Sequence, residues 1–128
     1  MSQAVGALDI TLVCGAATLG EKQYHFITLF TDGTAIVCGA GGVAIGILQN
    51  TPGIGEAARV RVLGTSKLVM NEAVDEAEAI TSTATGAGEV VDGVDEYAGA
   101  IDIEAATAPN DIVEVLITHM YSPVSHAT

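Results

Sequence analysis

The sequence predicts an all-β fold: a small β-barrel or sandwich-like domain of short strands, with an extended N-terminal arm and at most one short helix. Two observations lead there. Short apolar runs return about every 8 to 12 residues, broken by glycine, Asn or Asp, and several of them alternate with the period of a strand. The apolar residues, 49% of the chain, are mostly Ala, Val, Ile and Leu beside 15 glycines, with 4% aromatics and no Trp. The 128 residues and 12.9 kDa suit one domain able to bury a core without metals or disulfides. The expected division is an arm over residues 1–12, one β-rich domain over 13–120 and a flexible tail over 121–128.

The elements follow in chain order. Ser2 to Leu8 is small and uncharged, and is expected to be mobile alone and to lie across a neighbouring subunit as an added strand. Gln23 to Thr31 places Tyr24, Phe26, Thr28 and Phe30 on one side of a strand and His25, Ile27 and Leu29 on the other. Tyr24, Phe26 and Phe30 then either fill the barrel or form an interface between protomers. Thr31-Asp32-Gly33-Thr34 is a hairpin turn, because Asp-Gly tolerates positive φ, and Thr34 to Cys38 returns as the second strand. Gly39-Ala40-Gly41-Gly42-Val43-Ala44 fits a dinucleotide-binding fingerprint in spacing only. No helix opens at its glycines and no acid stands where a ribose would need one, so it is a bend between strands. Gly42 to Gln49 is strand-like until Asn50-Thr51-Pro52-Gly53, and Ala58 to Val62 alternates with Arg59 and Arg61 outward. Asn71 to Ile80 alone has helix-like composition, with Asn71 as its N-cap. Gly46 to Val62 and Gly99 to Ile117 share a pattern of glycine, apolar run, proline turn and alternating strand, the second copy two residues longer.

Charge narrows the functions. Sixteen acids against four bases give −12, which repels nucleic acid and anionic membranes. No apolar run is long enough for a transmembrane helix and no basic flank marks a signal peptide, so a soluble chain, cytoplasmic when made, is expected. Through Lys67 the chain is formally neutral, and all twelve other acids follow, interleaved with apolar residues as on a folded surface. Cys14 and Cys38 lack metal-ligand spacing and read as packed thiols, a disulfide being the alternative. His25, His119 and His126 have no triad partners, and no serine sits in a nucleophile elbow. The pairs Asp75 with Glu76 and Asp95 with Glu96 are solvated charge, with a calcium loop at 92–96 as a minor reading. Neither a catalytic residue nor a cofactor or metal is expected.

GILQNTPGIGEAARVRVLGTSKLV, residues 46–69, resembles the small head decoration, or capsid cement, proteins of tailed bacteriophages. Gly46, Leu48, Gln49 and Pro52 match the family's G-x-L-Q-x-x-P turn, and Gly55 to Lys67 match G-E-x-A-x-V-x-V-x-G-x-S-K. Thr81-Ser82, Glu104-Ala105-Ala106 and Asp111 to Val115 answer to later motifs, while Ala77-Glu78 replaces an expected Gly-Asp. The resemblance covers residues 35–118 and implies a β-barrel-like body without enzymatic activity. It also implies attachment to the outside of a shell of major capsid protein. The candidate shell-binding residues are Val5, Leu8 and Ile10 of the arm with Arg59, Arg61 and Lys67, whose less acidic half should face the shell. Arg59 and Arg61 have a second reading, as cross-strand partners of acids such as Glu114. A homotrimer is expected, with a dimer as alternative; the competing function is a tail or baseplate domain, or another oligomeric β interaction module.

Overall fold

A computed structural model describes residues 7–93 and 96–121. The chain is all-β, in two antiparallel five-stranded sheets. The first contains β1 (Leu8–Val13), β2 (Phe26–Leu29), β3 (Ala35–Val37), β4 (Gly46–Leu48) and β5 (Ala57–Leu63). The second contains β6 (Thr65–Val69), β7 (Ala79–Ser82), β8 (Gly88–Val90), β9 (Tyr97–Asp102) and β10 (Ile112–Tyr121). Neither closes into a barrel. In each, the two edge strands touch through one isolated parallel bridge, Cys14 with Ala35 and Met70 with Gly88.

The sheets are two copies of one plan. Their strand orders, β1-β5-β4-β2-β3 and β6-β10-β9-β7-β8, are the same order five strands on. The registers correspond as well. Ile10 opposite Val60 answers to Ser66 opposite Val115, and Ile27 opposite Val37 to Ile80 opposite Val90. Ile27 opposite Gly46 answers to Ile80 opposite Ala100, and Leu48 opposite Val60 to Asp102 opposite Val115. Even the hairpin turns agree: Phe30 N–H donates to Thr34 O as Thr83 N–H does to Ala87 O, with Gly33 and Gly86 at φ +84 and +86. The repeat legible in the sequence is therefore present, but in different register. Matching Gly46 to Gly99 is one residue off, since strand pairing sets Gly46 against Ala100.

The local reasons are visible in the turns. Asp32 Oδ1 accepts from the backbone N–H and the hydroxyl of Thr34, at 3.0 and 2.7 Å, which fixes the Asp-Gly hairpin. Asn50 brackets the β4–β5 turn, donating to Ala57 O and accepting from Arg59 N–H, both at 3.0 Å. On β5, Ala58 and Val60 face inward and Arg59 outward, as alternation predicts. Residues 39–45 form an irregular connection with Gly41 at φ +64, and both cysteines are free and buried.

One expectation is corrected and one open reading is decided. Residues 8–12, assigned to the arm, are zipped onto β5, because Leu8 to Val13 finds a strand partner about fifty residues away. Asn71 to Ile80 is not a helix: Val74 instead bridges Ala106 across the second unit, Ala77 sits at φ +66, and β7 begins at Ala79. The helical element described is the 3-10 turn η1, Ala17–Glu21, whose Leu19 is buried in the first unit.

The core has two parts. One lies within the first sheet, around Leu19, Ile27, Leu48 and Val60. The other fills the second unit around Leu68, Ile80 and Val115, and takes in Phe26, Ala44 and Ile47 from the outer face of the first. β2 is thus buried on both faces, Phe26 toward the second unit and Ile27 into the first.

Candidate functional site

Of the shell-binding candidates among the described residues, Leu8, Ile10, Arg59 and Arg61 lie together on β1 and β5, whereas Lys67 lies on β6 of the second sheet. Asp9 lies opposite Arg61 and Thr11 opposite Arg59, so two guanidinium groups flank one carboxylate. Arg61 Nε donates to Asp9 Oδ1 at 2.7 Å and Nη2 to Oδ2 at 3.3 Å, while Arg59 Nε stands 3.3 Å from Oδ2. Arg61 Nη1 also reaches Thr65 O, at 3.3 Å, tying β5 to the second unit. The sequence pointed to Glu114 as a possible partner; the structure supplies Asp9, and pairs Glu114 across the strands with Lys67. Lys67 Nζ lies 5.8 Å from the centre of the Tyr24 ring. The two arginines are therefore ties within the chain, with Arg59 the more exposed of them.

Arg61→Gln is expected to cost about 1 to 2 kcal/mol, because Asp9 loses a bidentate, partly buried donor, whereas Arg59→Gln should cost under about 0.5 kcal/mol. Urea midpoints of the two variants check the order; equal midpoints would show that the pairing adds nothing.

Leu8 is exposed at the sheet edge, Ile10 is half-buried against the first core, and Val5 lies outside the described residues. The interface candidates separate. Phe26 is fully buried, so it belongs to the core and not to an oligomer interface. Phe30 is exposed at the hairpin tip. Tyr24 is half-buried at φ +65, its N–H donating to Leu48 O at 2.7 Å and its O accepting from Val69 N–H at 2.9 Å. The one shared face read from alternation fails because the strand starts only at Phe26.

The titratable groups are arranged as structure. Burial lowers the pKa of His25, whose Nδ1 lies 3.1 Å from Gln23 O, and His119 Nε2 lies 2.7 Å from Val62 O. The hydroxyl of Thr34 holds the Asp32 carboxyl below its ordinary value, and the amide of Thr107 does so for Asp111. Asp102 is the exception: it is buried, neither carboxyl oxygen has a hydrogen-bond partner among the described residues, and burial pushes its pKa up to about 6. Among the described residues, no three of His, Cys, Asp or Glu are grouped to hold a metal ion, and no helix is long and apolar enough to cross a membrane.

What the fold defines is a class: an all-β body of two equivalent five-stranded units. The solved N base of the head fiber gp8.5 of bacteriophage phi29 is similar, with a TM-score of 0.64 and 12% identity over 94% of this chain and 99% of that one. At that identity the likeness is one of fold, end to end. No family model matches the chain, and no curated protein matches it in sequence.

Proposed function

We propose that this chain is a noncatalytic structural protein of a tailed-phage virion, a decoration or cement protein bound to the outer surface of the shell of major capsid protein. The observation that supports this best is the fold, shared over nearly the whole of both chains with the base of a phage head fiber. The motifs of residues 46–69 and 99–117, which resemble those of head decoration proteins, point the same way. The first unit, four acids against three bases through residue 64, is the side offered to a DNA-filled and hence negative particle. The second, twelve acids against one base, faces solvent and keeps particles apart. Attachment as a homo-oligomer, a trimer before a dimer, belongs to the same proposal.

Cosedimentation tests it. Purified protein added to undecorated heads is expected to pellet with them in high copy and to raise the temperature at which they release DNA. Recovery in a few copies with tails would favour the tail or baseplate reading, and failure to bind heads at any salt concentration would overturn the proposal.

A further inference from the structure

The interface that joins the two units within the chain is head to tail: the surfaces facing each other are different parts of the repeated plan. The first unit contributes the outer face of β2 and β4, with Phe26 and Ile47, and the loop after β3. The second contributes one end of its sheet. Gly86 O accepts from Phe26 N–H at 2.8 Å, Ser82 O from Gly41 N–H at 2.9 Å, and Tyr24 O from Val69 N–H at 2.9 Å. Gly41 O accepts from Tyr97 N–H at 3.2 Å. Gly99 lies beneath the Phe26 ring, where a Cβ would come within 2.7 Å of Cε1.

A head-to-tail contact between repeats leaves one copy of each surface unused at the two ends of the molecule. Register locates both. Val69, Ser82 and Thr83 correspond by register to Val13, Leu29 and Phe30 of the first unit, and Tyr97, three residues before Ala100, corresponds to Val43, three before Gly46; all four counterparts are exposed large apolar residues. In the second unit, Ile47, Gln49 and Arg61 correspond to Ile101, Ile103 and Leu116, of which Ile103 and Leu116 are exposed and Ile101 half-buried. Where the covered copies carry polar Ser82, Gln49 and Arg61, the uncovered ones are apolar. Surfaces that met only water would be expected to show the opposite pattern.

We propose that a second copy of this chain docks there, the end of its first unit around Val13, Leu29, Phe30 and Val43 seated on the Ile101, Ile103 and Leu116 face. This repeats between molecules the contact that joins the units within one. Side-chain size fits this pairing. Within the chain, large Phe26 sits over Gly99; their counterparts are Ala79 and Ile45, so the small residue now meets the large one. Charge fits it too, since head-to-tail docking sets the nearly neutral first unit, at four acids against three bases, on the strongly acidic second. A symmetric contact through second units would instead oppose two surfaces of twelve acids against one base. The proposal does not depend on attachment to a shell.

Sedimentation velocity on the full chain, at roughly physiological salt to limit repulsion between acidic copies, tests it. Wild type is expected to sediment faster as concentration rises, with species beyond the dimer. One variant carries Phe30→Asp and Val43→Asp, the other Ile103→Asp and Leu116→Asp. Each is expected to remain monomeric with a circular dichroism spectrum and melting curve like those of wild type. Mixed in equal amounts, they are expected to form a dimer and nothing larger, because each retains the surface the other lacks. If either variant loses its melting transition, the pairs Phe30→Ser with Val43→Ser and Ile103→Ser with Leu116→Ser replace it. A wild type monomeric at every concentration would overturn the proposal, as would a mixture that stays monomeric or self-association that either variant leaves intact.

Discussion

Asp102→Asn is expected to melt above wild type at about pH 8, by up to roughly 10 °C, and to melt with it at about pH 4. Register explains why. Asp102 stands opposite Val115 in the second unit, the place that Leu48 holds opposite Val60 in the first, so a carboxylate occupies a position the plan fills with leucine. It is 2% exposed, with both oxygens unpartnered among the described residues. Burial is the main cause of its raised pKa. The amides of Glu104 and Ile103 favour the ionised form, but both donate to Glu114 O, at 3.2 and 3.0 Å, and the Glu76 and Glu104 carboxylates oppose it.

The sign follows from linkage. A carboxyl whose folded pKa lies near 6, above its ordinary 3.8, adds stability that is complete below about pH 4 and lost as pH rises through 6. The difference amounts to at most about 3 kcal/mol, which a domain of this size shows as roughly 10 °C. Glu89, raised by burial and then by Glu72, Glu96 and Asp92, drifts in the same direction, so the test is the difference between variant and wild type. Parallel melting curves across that pH range would show that Asp102 is ionised at no cost and that water or a moved amide satisfies it.

Much of the first unit was legible because its signals are local. The Asp-Gly turn holds its own hairpin through Asp32 and Thr34, and Ala58 to Val62 alternates because one face of β5 is wet. Phe26 was not assignable from alternation. β2 is buried on both faces, and the residues covering its second face, Gly86 and Gly99 among them, lie far along the chain. The helical option over 71–80 rested on Ala and Glu content, and the Val74 bridge to Ala106 outweighs that local preference. The partner of Arg61 was missed for a similar reason: Asp9 lies in a stretch that reads as a free arm until β5 is known to be beside it. Phe30 was legible as an interface candidate, but the surfaces around Val43, Ile103 and Leu116 were invisible as sites, because single exposed apolar residues are common. They acquire meaning only through the register that matches them to a buried interface.

Gly46→Ala is expected to cost about 3 kcal/mol or more, the largest loss among single-methyl additions in the first unit. A methyl there would overlap the carbonyl oxygen of Arg61 and come within 2.8 Å of Val60 Cγ1. The obstacle is the backbone of the paired strand, which cannot turn aside as a side-chain tip can. β4 is three residues long and is held between β2 and β5, so it has little length over which to absorb a shift. Moving it would displace Ile47 from the contact with the second unit and strain the 2.8 Å hydrogen bond from Gln49 Nε2 to Ser66 Oγ. The second unit shows that the plan itself does not demand glycine, since Ala100 occupies the equivalent position. Ala100→Gly should therefore cost only about 1 kcal/mol, from lost packing and a looser unfolded chain. Urea unfolding of both variants separates the two positions. A Gly46→Ala midpoint within error of wild type would show that β4 and β5 separate freely, and with them the surface on which the two units meet.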